Sequence, residues 1–136
     1  MWTSNHFAPA LLTLVASLSL SPSAHAADLN GAWASDASVC NKVFVKSNNR
    51  ISFLPDAELY GGGLLVEGNR AIGTFQKCNI KSIKDDGVDV HLTAACSTGV
   101  EVSNLQFTVK VIGNDKITVS SNGSVNITTP YVRCPI

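Results

Sequence analysis

From Val88 to Ala94 apolar and polar residues alternate without a break, and Leu105 to Val111 repeats the pattern. A period of two puts one set of side chains on each face of an extended strand, whereas a helix needs apolar residues three or four apart. No segment after residue 26 sustains the helical period. The breaks between apolar runs carry the residues that tight turns demand. Lys46 to Arg50 separates Val43–Val45 from Ile51–Phe53, and Glu67 to Arg70 separates Leu64–Val66 from Ala71–Phe75. Asp85-Asp86-Gly87 separates Cys78–Ile83 from Val88–Cys96, and Gly113-Asn114-Asp115 separates Val109–Ile112 from Ile117–Val119. Gly, Asn and Asp tolerate the positive φ that hairpin loops require. Tyr131 to Cys134 reads as a closing strand.

This spacing predicts an all-β fold, an antiparallel up-and-down barrel of about eight strands, with a β-sandwich as the alternative. One short helix is expected near the start, with Ser35 as its N-cap and Asp36 to Asn41 as its body. Phe44, Phe53, Phe75 and Phe107 are large enough to fill a barrel interior, so the sequence leaves open whether the barrel is hollow.

Ahead of this domain Leu11 to Leu20 forms an apolar run, followed by Ser21-Pro22-Ser23 and by Ala24-His25-Ala26. The run is shorter than the ~20 residues a spanning helix needs, and the small residues fit a cleavage site. Residues 1–26 are therefore expected to be a signal peptide, although Met1 to Phe7 contains no Lys or Arg. Residues 27–136 are expected to be a single periplasmic or secreted domain, without stable membrane insertion. All 10 Lys+Arg and all 10 Asp+Glu follow residue 26, so the domain is formally neutral. Binding to phosphate backbones wants a basic excess, so the composition argues against nucleic acid as a partner. The one local basic cluster, Lys77, Lys81 and Lys84, reads as the solvated face of a strand.

An oxidising compartment makes the four cysteines candidates for disulfides. The preferred pairing is Cys78 with Cys96, across the Asp85-Asp86-Gly87 hairpin, and Cys40 with Cys134, tying the start of the domain to its last strand. A strict two-residue Asp86-Gly87 loop leaves Cys78 and Cys96 one residue out of register; a longer loop or a bulge aligns them. The rival pairing, Cys40 with Cys78 and Cys96 with Cys134, stays open. Neither a zinc site nor a redox dithiol is expected, because both want close Cys pairs.

Signals for catalysis are thin. His91 is the only histidine after residue 26, and on its strand it shares a face with Asp89 and Thr93, toward water. A hydrolase built on His91 is the sole enzymatic alternative, without a nucleophile motif to accompany it. Asp56 with Glu58, and Asp85 with Asp86, are carboxylate pairs in turn-forming sequence rather than in a recognisable acid–base motif. No cofactor motif is present. Tyr60-Gly61-Gly62-Gly63 lacks the ending of a phosphate loop and reads as a sharp bend between strands, or as a flap at a barrel mouth. The Asp56–Gly63 stretch (Asp56, Glu58, Tyr60, Gly61, Gly62 and Gly63) is thus the candidate mouth or contact loop. Asn122-Gly123 is expected to be a hairpin turn.

Gly31-Ala32-Trp33 near the start of the domain and Arg133 in its last strand resemble the calycin pattern of lipocalins, avidins and small bacterial relatives. In that pattern a G-x-W on the first strand meets an arginine of the last strand at the closed end of an antiparallel barrel. The resemblance implies a barrel plug of Trp33 and Arg133, in which the guanidinium stacks on the indole. It also implies two functions: holding a small apolar or amphipathic ligand, or acting on an envelope protein as a protease or lysozyme inhibitor does. A monomeric, non-enzymatic binding protein is the expectation.

Overall fold

The computed structural model describes residues 28–122 and 127–136. The expected signal peptide, and the Asn122-Gly123 turn apart from Asn122, lie outside the described residues. The described strands are β1 (Gly31–Ala34), β2 (Phe44–Ser47), β3 (Arg50–Phe53), β4 (Gly63–Glu67), β5 (Arg70–Gly73), β6 (Lys77–Asp85), β7 (Asp89–Ser97), β8 (Val102–Val111), β9 (Lys116–Asn122) and β10 (Ile127–Arg133). A 3₁₀ turn, Ala37–Val39, runs directly into the helix α1, Cys40–Val43, and a second 3₁₀ turn spans Ala57–Tyr60.

Eight of the strands close an antiparallel barrel in the order β1-β10-β9-β8-β7-β6-β5-β4. From β4 to β10 each strand pairs with its sequence neighbour, as short hairpins dictate. Closure falls to β1, which pairs antiparallel with β10 on one side and β4 on the other. The other two strands, β2 and β3, form a separate hairpin outside the barrel.

The β6–β7 register shows how local chemistry places a disulfide. Asp86 N donates to Asp89 O at 2.8 Å, and Gly87 takes φ 88°, so the loop is Gly87-Val88. That turn sets Asp85 against Val90 and by itself would put Cys78 opposite Ser97. A bulge between Ile80 and Ser82 shifts the ladder by one and brings Cys78 opposite Cys96. The two are bonded, as are Cys40 and Cys134, which settles the pairing against its rival.

The chain builds two cores. Val90, Leu92, Ala94 and Cys96 of β7 point inward while His91, Thr93 and Ala95 point outward, and the inward set joins Trp33, Val66, Val109 and Ile117 in the lumen. The second core lies outside the barrel wall. There Ala32, Ala34 and Leu65 pack against Val43, Phe44 and Ala57 of the 35–62 excursion, with Ile51, Phe53 and Ile72 at the margin. Cys40–Cys134 pins this excursion to the wall. Strands β1 and β4 are thus covered on both faces, which is why Ala32-Trp33-Ala34 and Leu64-Leu65-Val66 read as continuous apolar runs rather than alternating ones.

Three expectations need correction. Of the four phenylalanines large enough to fill the interior, only Phe107 lines the lumen. Phe44 and Phe53 pair at 4.9 Å in the outer core, and Phe75 is 76% exposed because β5 ends at Gly73 and leaves it on a loop. The helical segment is capped by Asp36 rather than Ser35: the Asp36 carboxylate accepts from Ser38 N at 2.8 Å. Val43 ends α1 instead of opening a strand.

Candidate functional site: the barrel lumen

One end of the barrel is plugged by the segment that leads into β1. Arg133 reaches across this end. Its Nη2 donates to Asp28 O at 2.8 Å, its Nη1 to Asn30 O and its Nε to Asn114 O at 3.1 Å. Its guanidinium carbon lies 4.2 Å from the Trp33 ring centroid. Trp33 is 1% exposed, and its Nε1 donates to Leu29 O at 2.9 Å. Gly68 N donates to Asn30 Oδ1, tying the β4–β5 turn to the same segment. One arginine and one indole therefore hold residues 28–30 over the barrel end and turn Leu29 toward the lumen, whose lining it joins. Gly31 is required here on two counts. Its φ is 126°, and a Cβ would meet Arg133 Nη1 at 3.0 Å.

Behind the plug lies a part-enclosed cavity of about 170 Å³. Leu64, Phe107, Val109, Val119 and Tyr131 are among its walls, and Leu29 bounds it at the plugged end. The lining continues to the opposite end of the barrel at Gly63, Gly73 and Gln76, beside the β5–β6 connection. Gly63 opens β4 in close quarters: a Cβ there would lie 2.7 Å from both Phe44 Cζ and Trp33 O. At this same end Phe75 is 76% and Val100 96% exposed, so apolar side chains stand on neighbouring loops. The inward-facing Cys78–Cys96 pair also borders the cavity, through Cys78. Of the 16 lining residues only Gln76 and Tyr131 carry polar side chains, and none carries a charge. Burial pushes the Tyr131 phenol above its ordinary 10.0, so it stays protonated through the physiological range.

The remaining sequence candidates sit elsewhere. Asp56 precedes the second 3₁₀ turn, and Glu58 and Tyr60 lie within it. Gly61 and Gly62 take φ 87° and 64° to leave it, and Gly62 N donates to Ala57 O at 2.9 Å. The glycine run is therefore a braced bend into β4, and of the loop only Gly63 borders the cavity. Tyr60 lies under Lys42, whose Nζ is 5.0 Å from its ring. His91 is on the outer surface, with Nδ1 3.2 Å from Thr108 Oγ1 and Nε2 3.7 Å from Asp86 Oδ2. Its side chain is 43% exposed, and among the described residues no serine or cysteine is hydrogen-bonded to it. Among the described residues no group of three or more His, Cys, Asp or Glu is placed to hold a metal ion.

Leu29, Gln76 and Tyr131 were not singled out by sequence reasoning. The alternation along β7 and β8 assigns inward positions there, but Leu29 and Gln76 lie outside any strand. Tyr131 shares an inward parity with Arg133, a signal available once Arg133 is placed in the plug. Comparison with protein-family models, curated proteins and solved structures gives no match for this chain.

Proposed function

We propose that the protein is an exported binding barrel that holds a small apolar or amphipathic ligand in its lumen. One observation carries this reading: a part-enclosed cavity of about 170 Å³ whose walls are almost wholly apolar. Close packing normally fills a protein interior, so a void of this size costs stability unless something occupies it. An apolar cavity of ~150 Å³ accepts one benzene, while drug-sized ligands need ~300 Å³ or more. The ligand is therefore small, and a lipocalin-sized cargo does not fit without rearrangement. The proposed calycin kinship draws support from the meeting of Gly31, Trp33 and Arg133 at one barrel end. Export draws support from the Leu11–Leu20 run, the Ala24-His25-Ala26 site and two disulfides that use all four cysteines.

The test is a benzene titration of residues 27–136 followed by thermal unfolding. A ligand at ~100 Kd adds about 2.7 kcal/mol to the native state, a readily measured rise in Tm. Ala94→Leu, which fills the lumen from β7, should abolish the rise. No stabilisation of the native chain, or an undiminished rise in the variant, would refute the reading.

A second reading has one observation in its favour. Leu59 is 74% exposed on the braced 57–60 turn, the kind of rigid apolar tip that enters a partner's cleft. As an envelope-protein interaction module, an inhibitor of a protease or lysozyme for example, the protein would lose binding on Leu59→Asp while keeping its fold.

A further inference from the structure

We propose that the lumen selects one chemical class: an uncharged single-ring molecule with one hydrogen-bonding group, of the phenol type. This rests on the ligand-binding reading above and narrows it. Size sets the first limit, since a cavity of about 170 Å³ holds about seven non-hydrogen atoms if ~150 Å³ holds a benzene.

Charge sets the second. No Lys, Arg, His, Asp or Glu lines the cavity. A carboxylate or ammonium drawn inside would lose its water without gaining a counter-ion, a penalty that excludes it. The phenol of Tyr131 does not supply a charge, because its burial keeps it protonated.

The polar content of the walls sets the third. Gln76 and Tyr131 bring an amide and a hydroxyl to an otherwise apolar lining. Neither side chain is hydrogen-bonded to another described residue. A purely apolar guest offers neither group a partner, whereas a guest with one hydroxyl can pair with either. The shape preference comes from Phe107, Tyr131 and the Cys78 sulfur, since rings pack well edge-to-face on other rings and against sulfur.

The experiment is calorimetric titration of residues 27–136 at pH 7 with benzene, phenol and benzoate, repeated on Gln76→Leu/Tyr131→Phe. Phenol should bind the native chain at least as tightly as benzene, and benzoate should not bind. The double variant should lose phenol affinity by about 5- to 10-fold, the factor for one hydrogen bond, while benzene stays within about twofold. Gln76 lies on a loop, so Gln76→Leu alone should show a smaller loss of the same selectivity should the double variant not fold. Three results would overturn the proposal and leave the cavity reading standing: phenol more than about fivefold weaker than benzene, the cost of an unpaired hydroxyl; benzoate as tight as phenol; or variants with unchanged phenol affinity. Failure of both benzene and phenol to bind would overturn the ligand reading itself.

Discussion

Removing the Arg133 side chain should unlatch the plugged end of the barrel. Arg133→Ala deletes donors to Asp28 O, Asn30 O and Asn114 O and the stack on Trp33. Hydrogen bonds from a charged donor contribute about 1.5–3 kcal/mol when buried. These carbonyls lie at the barrel rim, where water can replace the donor, so about 0.5–1 kcal/mol each is the better figure. The stack adds about 0.5–1 kcal/mol at a part-exposed site. Together the loss should be about 2–4 kcal/mol, a large share of the ~5–15 kcal/mol typical of a domain. Arg133→Lys keeps the charge but not the planar fork that reaches three carbonyls, so it should recover less than half of the loss. Urea unfolding followed by fluorescence provides the assay, because Trp33 is the only tryptophan among the described residues. The folded Arg133→Ala protein should also emit at longer wavelength, as Leu29 and the 28–30 segment release the indole to water. A destabilisation below about 0.5 kcal/mol, within the range of ordinary surface substitutions, would refute the view that this residue latches the plug.

The two disulfides should differ in worth. Cys40–Cys134 closes a separation of 94 residues and Cys78–Cys96 one of 18, so in the chain-entropy model their removal costs about 4.7 and about 3 kcal/mol. Paired Cys→Ser variants compared by denaturation should keep that order, and the reverse order would contradict the role given to the outer staple. Stability should also fall in alkali. The Tyr131 pKa is raised in the folded state by burial, so its contribution is complete below the ordinary 10.0 and is lost as pH climbs through the raised value. Tyr131→Phe should flatten the alkaline limb of a stability–pH curve, and an unchanged limb would refute the assignment. At the acid end Asp36 behaves in the opposite sense. The hydrogen bonds from Ser38 hold its pKa below 3.8, so its cap contribution is present above that value and lost as pH falls through the lowered one. Asp36→Asn should soften that acid loss.

Much of the architecture was readable in the residues, for a physical reason. A strand with one wet face advertises its period, so β7 and β8 were placed with the correct faces inward. Turn residues carry their own signature, so the β2–β3, β4–β5, β6–β7 and β8–β9 hairpins fell where Gly, Asn or Asp broke an apolar run, whereas the β5–β6 connection, Thr74-Phe75-Gln76, carries no such residue and was read as strand up to Phe75. The outer core was hidden, because a strand covered on both faces looks the same whether its cover is a helix, a sheet or a loop. Hence Phe44 and Phe53 looked like lumen residues until the 35–62 excursion was seen to fold back over β1 and β4. The site was harder still. A cavity is a shortfall of volume among inward residues of many strands, and no local pattern encodes it. Ala71, Gly73 and Ala94 leave room where larger side chains would have filled the lumen, and their smallness gains meaning only when β5 and β7 are known to face the same space.

Xenon tests the central claim most directly, since it occupies apolar voids without asking for any hydrogen bond. Crystals of residues 27–136 pressurised with xenon should show one atom inside the barrel, in contact with Leu64, Phe107 and Val109. A lumen filled by side chains, or xenon found only outside the barrel wall, would contradict the account.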